Sequence, residues 1–371
     1  MSISDNLDKT TGKKTVGLSG KPVEDPIECK KGIVKWGLPA NYKWFPTTEP
    51  VTGKSKPAFD DPQQGPIPDC PLLAVLGSLA LKGRIIAPAT GIITFYQTKL
   101  GVSWPFGKTR ASPPPDYSTI TWNVPLKADG TPACARAKDN NVLWVPVYEK
   151  AYACFLEATR NGGFAFAGDK PIICDILKGD AGYIFTELTG INSVSYLTKD
   201  PPGAGYATKE AETLAKLQQL CPKTGNFPSR VAKYPIVAYT YVDSDPLKTN
   251  NTNAPVDSAP RDSGVYYDTN DELMVKEHSY SLIGLHTVVN AAGAEENFVI
   301  LRNPYGFNID AATIANTYST LPFTFFTFDT FQYPPKAAGG AALPQVVVYN
   351  GVFALKISDF VKWFMGFCWI P

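Results

Sequence analysis

The sequence predicts an α+β protein with a helical first half and an antiparallel β second half. Three observations carry this. Strong helix formers run from Cys70 to Leu81, "CPLLAVLGSLAL". Aromatic and aliphatic residues recur at helical spacing between Leu143 and Thr159. After Pro222 the chain becomes a series of β-branched and aromatic runs separated by polar turns. Two lobes of this kind commonly hold a ligand in the cleft between them.

The elements follow in order. Residues 1–60 are rich in Pro, Gly, Thr and Lys and read as an extended arm with short strands such as "GIVKWGL". A helix-bearing region is expected over 61–205 and a β-rich one over 206–371. In the first, Asp69 is suited to cap a helix beginning at Cys70, Pro71 to its first turn, and Gly83 to its end. Short strands and loops follow over 84–140 ("GIITFYQT", "STITWNVPL"). The stripe Trp144, Val147, Tyr148, Tyr152 and Phe155 marks a second helix and reads as core packing rather than a cofactor box. "YIFTELTG" and Ala207 to Cys221 supply two more helices. The β half comprises "PIVAYTYV", "SYSLIGLHTVVN", "NFVILRNP", "FTFFTFDTF" and "QVVVYNGVFALKI". Polar loops are expected at the insert 243–271 and at "QYPPKAAGGAALPQ". There is no internal repeat.

With 371 residues the chain has material for one large or two moderate domains, and 44% hydrophobic against 19% charged residues is a globular balance. A net charge of +1 supplies no field to draw nucleic acid or an anionic membrane, so neither is expected as a partner. The short basic cluster "KTTGKK" reads as a solvated terminus. No apolar run is long enough to span a bilayer, and "FVKWFMGFCWIP", interrupted by Lys362, reads as a core segment. The opening "MSISDNLDKTTGKK" has no apolar core of a signal peptide, so a cytoplasmic, intracellular location is expected. Seven cysteines at irregular spacing, with no CxxC pair, argue against a disulfide framework and a Cys-rich zinc site.

Cys70 is either a buried core thiol or a nucleophile. A helix N-terminus stabilises a thiolate through its positive dipole end and free N–H groups. A nucleophile also needs a base, and the chain has two histidines, His278 and His286. Their even spacing would put both on one face of a strand. A two-His metal site lacks further ligands, and either histidine alone reads as a structural residue. Asn303 in "LRNPYGFN" changes that reading for His278. A strand-turn-strand brings Asn303 back beside His278, where its carbonyl oxygen can accept the Nδ1–H and fix the tautomer. Upstream, the Gln64 amide can join the Cys70 backbone N–H as an oxyanion hole.

Gln64, Cys70, His278 and Asn303, in that order, resemble the papain-like cysteine proteases and, within them, the calpain protease core. The motifs are "QGPIPDCPLLAVLGSLA" for Gln-Gly-x-x-Gly-Asp-Cys-Trp-Leu-Leu-Ala, "HSYSLIG" for His-x-Tyr-Ser-x-x-Gly, and "RNPYG" for Arg-Asn-Pro-Trp-Gly. "YEKAYACF", "FTELTGI" and "NGVFALKISDFVKWF" are similar to further segments of that core. The resemblance runs from about Asp60 to the C-terminus. It implies a two-lobed fold with a Cys-bearing helical lobe and a β lobe carrying His and Asn. It also implies a cysteine endopeptidase acting on a protein or peptide substrate.

The departures are specific. Pro68 and Pro71 stand where the family has Gly and Trp, and Tyr305 where it has a Trp over the His–Asn hydrogen bond. The family's core binds two calcium ions. Asp61 matches one ligand of the first site, while Asn350 and Val352 replace the Asp and Glu of the second. No cofactor is therefore required, and a vestigial calcium site at Asp61 is the most that the resemblance implies. A catalytically weak or inactive relative with a binding, structural or assembly role is the alternative. A β-rich binding protein with a coincidental cysteine would leave the ordered motifs unexplained.

Overall fold

The computed structural model describes residues 32–45, 47–48, 55–85, 93, 95–96, 121–160, 173, 179–198, 209–223, 229–240, 278–289, 293–306, 325–327 and 351–371. The insert 243–271, the loop 332–345 and Asn350 lie outside them. The architecture is α+β with antiparallel sheets. Two compact units share the chain. One holds Pro22–Val194 and takes back Trp369–Pro371; the other holds Ser195–Cys368. The division falls at Val194/Ser195, against the 205/206 read from the sequence. The strand beginning at Val194 is drawn into the sheet of the second unit.

In the first unit, strand β1 is Lys35–Gly37, β2 Thr47–Thr48, β3 Ser55–Lys56 and β4 Val124–Leu126. They form two antiparallel ribbons, β1 with β4 and β2 with β3. Helix α1 is Cys70–Leu81, α2 Trp144–Arg160 and α3 Ala181–Thr189. Helix α1 is apolar on every side and buried from Cys70 through Ala80, as a central helix must be. Each of its buried Leu and Val side chains adds roughly 1.5–3 kcal/mol of burial. Pro71 lies in its first turn, where no N–H is required. At the other end Gly83 takes φ +62° and its N–H reaches the Ala80 carbonyl at 2.9 Å. Helix α1 packs on α3. Asp180 starts α3 by accepting the Gly182 and Tyr183 N–H groups, and Gly190 ends it at φ +69°.

The aromatic stripe of α2 is core. Trp144, Val147, Tyr148, Tyr152 and Phe155 are all buried, and Phe155 stacks on Phe95 at 5.1 Å between centroids.

In the second unit, β5 is Val194–Leu197, α4 Lys209–Leu220, β6 Ser229–Val231 and β7 Ile236–Thr240. Strand β8 is Ser279–Val289, β9 Glu295–Arg302, β10 Phe325–Thr327 and β11 Val352–Lys356. Helix α5 is Ile357–Trp363 and β12 Phe364–Trp369. The strands form one eight-stranded sheet in the order β10-β11-β9-β8-β7-β12-β5, with β6 pairing on β8. "FVKWFMGFCWIP" supplies the end of α5 and all of β12, with Phe360, Phe364, Phe367 and Cys368 fully buried. Among the described residues no helix is long and apolar enough to cross a membrane.

Strand β8 carries a bulge. Leu282 pairs with Leu301 and Gly284 with Ile300, leaving Ile283 as the extra residue. The bulge resets the two-residue alternation, so the expectation that His278 and His286 share a face fails. His278 is buried and His286 half-buried. Gly284 is required here, because a Cβ would lie 2.0 Å from the Arg230 carbonyl oxygen of β6. Gly284→Ala is expected to lower stability by about 2 kcal/mol or more in urea denaturation. Gly32→Ala, with open space at its Cβ, should stay within roughly ±0.5 kcal/mol.

Candidate active site

The His-Asn half lies in the second unit. His278 immediately precedes β8, and Asn303 immediately follows β9. The β8–β9 register pairs Ser281 with Arg302, which draws His278 and Asn303 together at one end of the strand pair. Backbone bonds hold the histidine: His278 N–H donates to Thr240 Oγ1 at 3.0 Å, and Thr240 N–H to the His278 carbonyl at 3.0 Å. His278 Nε2 meets Asn303 Oδ1 at 3.0 Å, with both residues buried.

The orientation of this amide follows from a second contact. The Tyr305 backbone N–H, a fixed donor, also reaches Asn303 Oδ1 at 3.0 Å. The atom facing Nε2 is therefore an oxygen, and Nε2 carries the proton in the bond. The neutral ring then has its lone pair at Nδ1. This differs from the Nδ1–H contact expected from sequence. Tyr305 lies over the ring at 4.7 Å between centroids and 30°, Tyr280 meets it edge-on at 4.9 Å, and the ring so held presents Nε2 to Asn303. Tyr305 thus covers the ring where the resembled family has Trp.

The turn "NPYG" is built for this contact. Gly306 N–H closes it on the Asn303 carbonyl at 3.0 Å, with Gly306 at φ +80°. Gly351 N–Cα–C passes so close that a Cβ would lie 2.5 Å from the Asn303 carbonyl oxygen, and its own carbonyl accepts the Asn303 N–H at 2.8 Å.

The Cys-Gln half lies in the first unit. Cys70 opens α1 and is fully buried. Gln64 is buried, and its Nε2 donates to the Ile67 carbonyl at 2.7 Å. That same carbonyl accepts the Asp69 N–H at 2.9 Å, so one oxygen ties Gln64 to the residue before Cys70. One Nε2 hydrogen is used by Ile67, and an amide has a second. The Cys70–Gln64 and His278–Asn303 pairs are each built within one unit.

Asp69 does not cap α1 with its side chain, contrary to the sequence expectation. Its backbone is at φ −108°, ψ 23°, outside the extended cap geometry, and its carboxyl is buried beside Glu149 of α2. Burial pushes the Asp69 carboxyl up to about 7. Burial, then the Asp69 charge, pushes Glu149 well above the usual carboxylate range. Cys134 is likewise pushed up by burial and by these two carboxyls. The sequence reading passed over Glu149 and Cys134. The legible signal was the Glu149–Lys150 pair inside an apolar helical stripe, and both residues are fully buried.

Asp61 Oδ2 accepts the Trp144 Nε1–H at 2.8 Å and the Ala58 N–H at 3.1 Å. Two N–H donors on one oxygen mark a structural carboxylate. Val352, in β11, offers only an apolar buried side chain. Among the described residues no group of three Asp, Glu, His or Cys side chains could hold a metal ion. Asp61 Oδ2 is thus already engaged by protein donors, and Val352 brings no oxygen of the kind calcium prefers. His286 is lowered from its ordinary value by burial alone.

The sequence matches no protein-family model and no curated protein.

In ¹⁵N-detected spectra of the histidine ring, His278 is expected as the Nε2–H tautomer. Asn303→Ala removes the shared acceptor of two buried N–H groups. It should cost about 1–3 kcal/mol in urea denaturation and abolish that tautomer preference.

Proposed function

We propose that this protein is a cysteine endopeptidase with a two-lobed, papain-like core similar to that of calpains. The observation that carries the reading is the buried His278 Nε2–Asn303 Oδ1 hydrogen bond, oriented by the Tyr305 N–H and covered by its ring. A histidine held in one tautomer by an Asn, in a chain that also starts a buried helix with Cys, is the equipment of a thiol acyl transferase.

In this reading His278 Nδ1 takes the Cys70 thiol proton and the thiolate attacks the scissile carbonyl carbon. The Cys70 N–H and the free Nε2 hydrogen of Gln64 stabilise the oxyanion. The C–N bond breaks as His278 passes the proton to the leaving amine, giving a thioester. Water, deprotonated by His278, then hydrolyses the thioester and restores the thiol. Asn303 keeps Nε2 protonated throughout. The substrate is a protein or peptide; nucleic acid and membrane play no part, and the location is cytoplasmic. No metal is required.

The complete burial of Cys70 favours a second reading, a weakly active or inactive relative with a binding or assembly role. Pro71 is not an argument for it, since the ring fits the first turn of α1.

An epoxysuccinyl probe decides between them. Labelling of Cys70 is expected, lost in Cys70→Ala and unchanged by a calcium chelator. No labelling with or without calcium would overturn the protease reading. In peptide hydrolysis, Gln64→Ala should lower kcat by about 10²–10³-fold, and Asn303→Ala by about 10²-fold or more.

A further inference from the structure

A carboxyl pair lies under the start of α1. Asp69 is 1% exposed and Glu149 0%, and each carboxyl shifts the protonation of the other. The Asp69 oxygens receive no N–H or O–H donor among the described residues while both groups are ionised. A protonated Glu149 would supply the O–H donor that they lack. Two bare carboxylates in this place would repel at low dielectric, so one proton between them is what makes the burial tolerable.

The pair is wired to both halves of the Cys-bearing site. The Ala135 N–H donates to both Glu149 oxygens, at 3.0 and 2.9 Å. The same short strap, Cys134 to Arg136, exchanges two backbone bonds with Gln63, at 2.8 and 3.0 Å. It lies so close to Gly65 that a Cβ there would sit 2.4 Å from the Cys134 carbonyl oxygen. Gln64 is thus flanked on both sides by residues fixed to the strap. One chain of contacts runs from the Gln64 loop through the strap to Glu149, Asp69 and Cys70.

We propose that Asp69 and Glu149 are a proton-sharing pair of positioning residues: the shared proton holds the start of α1 and the Gln64 loop in register, and its loss turns the site off. The inference rests on the protease reading for its meaning, although the pair can be tested without it. With the proton in place the charge beside Cys70 is at most one negative unit. When it leaves for solvent, two carboxylates face each other, and their field opposes formation of the Cys70 thiolate.

The other ionisable groups around the pair do not replace it. Cys134 is itself pushed up, first by burial and then by these carboxyls. Lys127 acts on Cys134. Arg136 Nε is directed to Gln63 Oε1 at 3.2 Å. Lys150, next to Glu149, donates to the Thr121 and Asn123 carbonyls at 2.8 and 2.9 Å. Both histidines of the chain belong to the other unit.

The sign of the pH effect follows. Both carboxyls lie above their ordinary values of 3.8 and 4.5, so the folded protein keeps protons that the unfolded chain has released. The stability they contribute is complete below those values and is lost as pH rises through about 7 and beyond.

Two measurements on the full chain test the proposal. The first is thermal stability across pH for wild type, Glu149→Gln and Glu149→Ala. Gln keeps an acceptor for Ala135 and a permanent donor for Asp69. Its stability curve should be flatter than that of wild type above pH about 7, whereas Ala should be less stable at every pH. The second is the iodoacetamide alkylation rate of Cys70 across pH, read by mass spectrometry. Its midpoint in Glu149→Gln should fall by about one pH unit relative to wild type. Parallel stability curves and an unshifted midpoint overturn the proposal. If Cys70 is alkylated in no variant, the protease reading and the switch on Cys70 fail, while the stability slopes still decide whether the proton is shared. If Glu149→Gln does not fold, Asp69→Asn replaces it, and the infrared C=O stretch of a protonated carboxyl in wild type at pH about 7.5 becomes the criterion. Its absence overturns the pair.

Discussion

Asn303 Oδ1 accepts two N–H donors at 3.0 Å, one from the His278 ring and one from the Tyr305 backbone. Buried N–H groups must find acceptors, and this one oxygen serves both a side chain that could rotate and a turn that could not. The turn therefore fixes the amide, the amide fixes the tautomer, and the tautomer assigns the basic nitrogen. The surrounding features serve that sequence of constraints. Gly306 and Gly351 let the backbone close around Asn303, the β8–β9 register brings His278 to it, and Tyr305 and Tyr280 limit the ring to one orientation.

The Cys-bearing half is governed by the same rule of satisfied buried groups, with a different outcome. There, among the described residues, the acceptors outnumber the donors. Asp69 and Glu149 together offer four oxygens, and the backbone of the strap supplies one N–H to them. A proton makes up part of the difference. The His278–Asn303 pair is thus held by fixed backbone donors, and the start of α1 by a donor that solvent can remove.

Much of the fold was legible because local pattern and tertiary role agree. "CPLLAVLGSLAL" has no polar face to misplace, and the α2 stripe buries the side chains its spacing selects. Gln64, Cys70, His278 and Asn303 could be picked out by motif order, and of these the structure joins His278 to Asn303 by a hydrogen bond. Four features were not legible. The ring nitrogen facing Asn303 depends on how Tyr305 and Tyr280 pack, which no spacing encodes. The Asp69 side chain follows a good capping pattern but is drawn off by Glu149, a partner on another helix. The bulge at Ile283 has a Gly beside it as its only mark, and glycine in a strand has other causes as well. Helix α5 was also missed, because "ISDFVKW" is short and enclosed between two strands.

The extra residue at Ile283 has a consequence for how such a chain can change over time. Substitutions along β8 alter volume and polarity gradually, and packing can absorb a methylene or two. Gain or loss of a single residue between His278 and Gly284 cannot be absorbed in that way. It would exchange the two faces of one arm of the strand and carry the imidazole to the opposite side of the sheet. In this segment length is held more tightly than composition, and descendants of this sequence should show amino-acid drift at Leu282 and Leu285 well before they show an insertion or deletion between them.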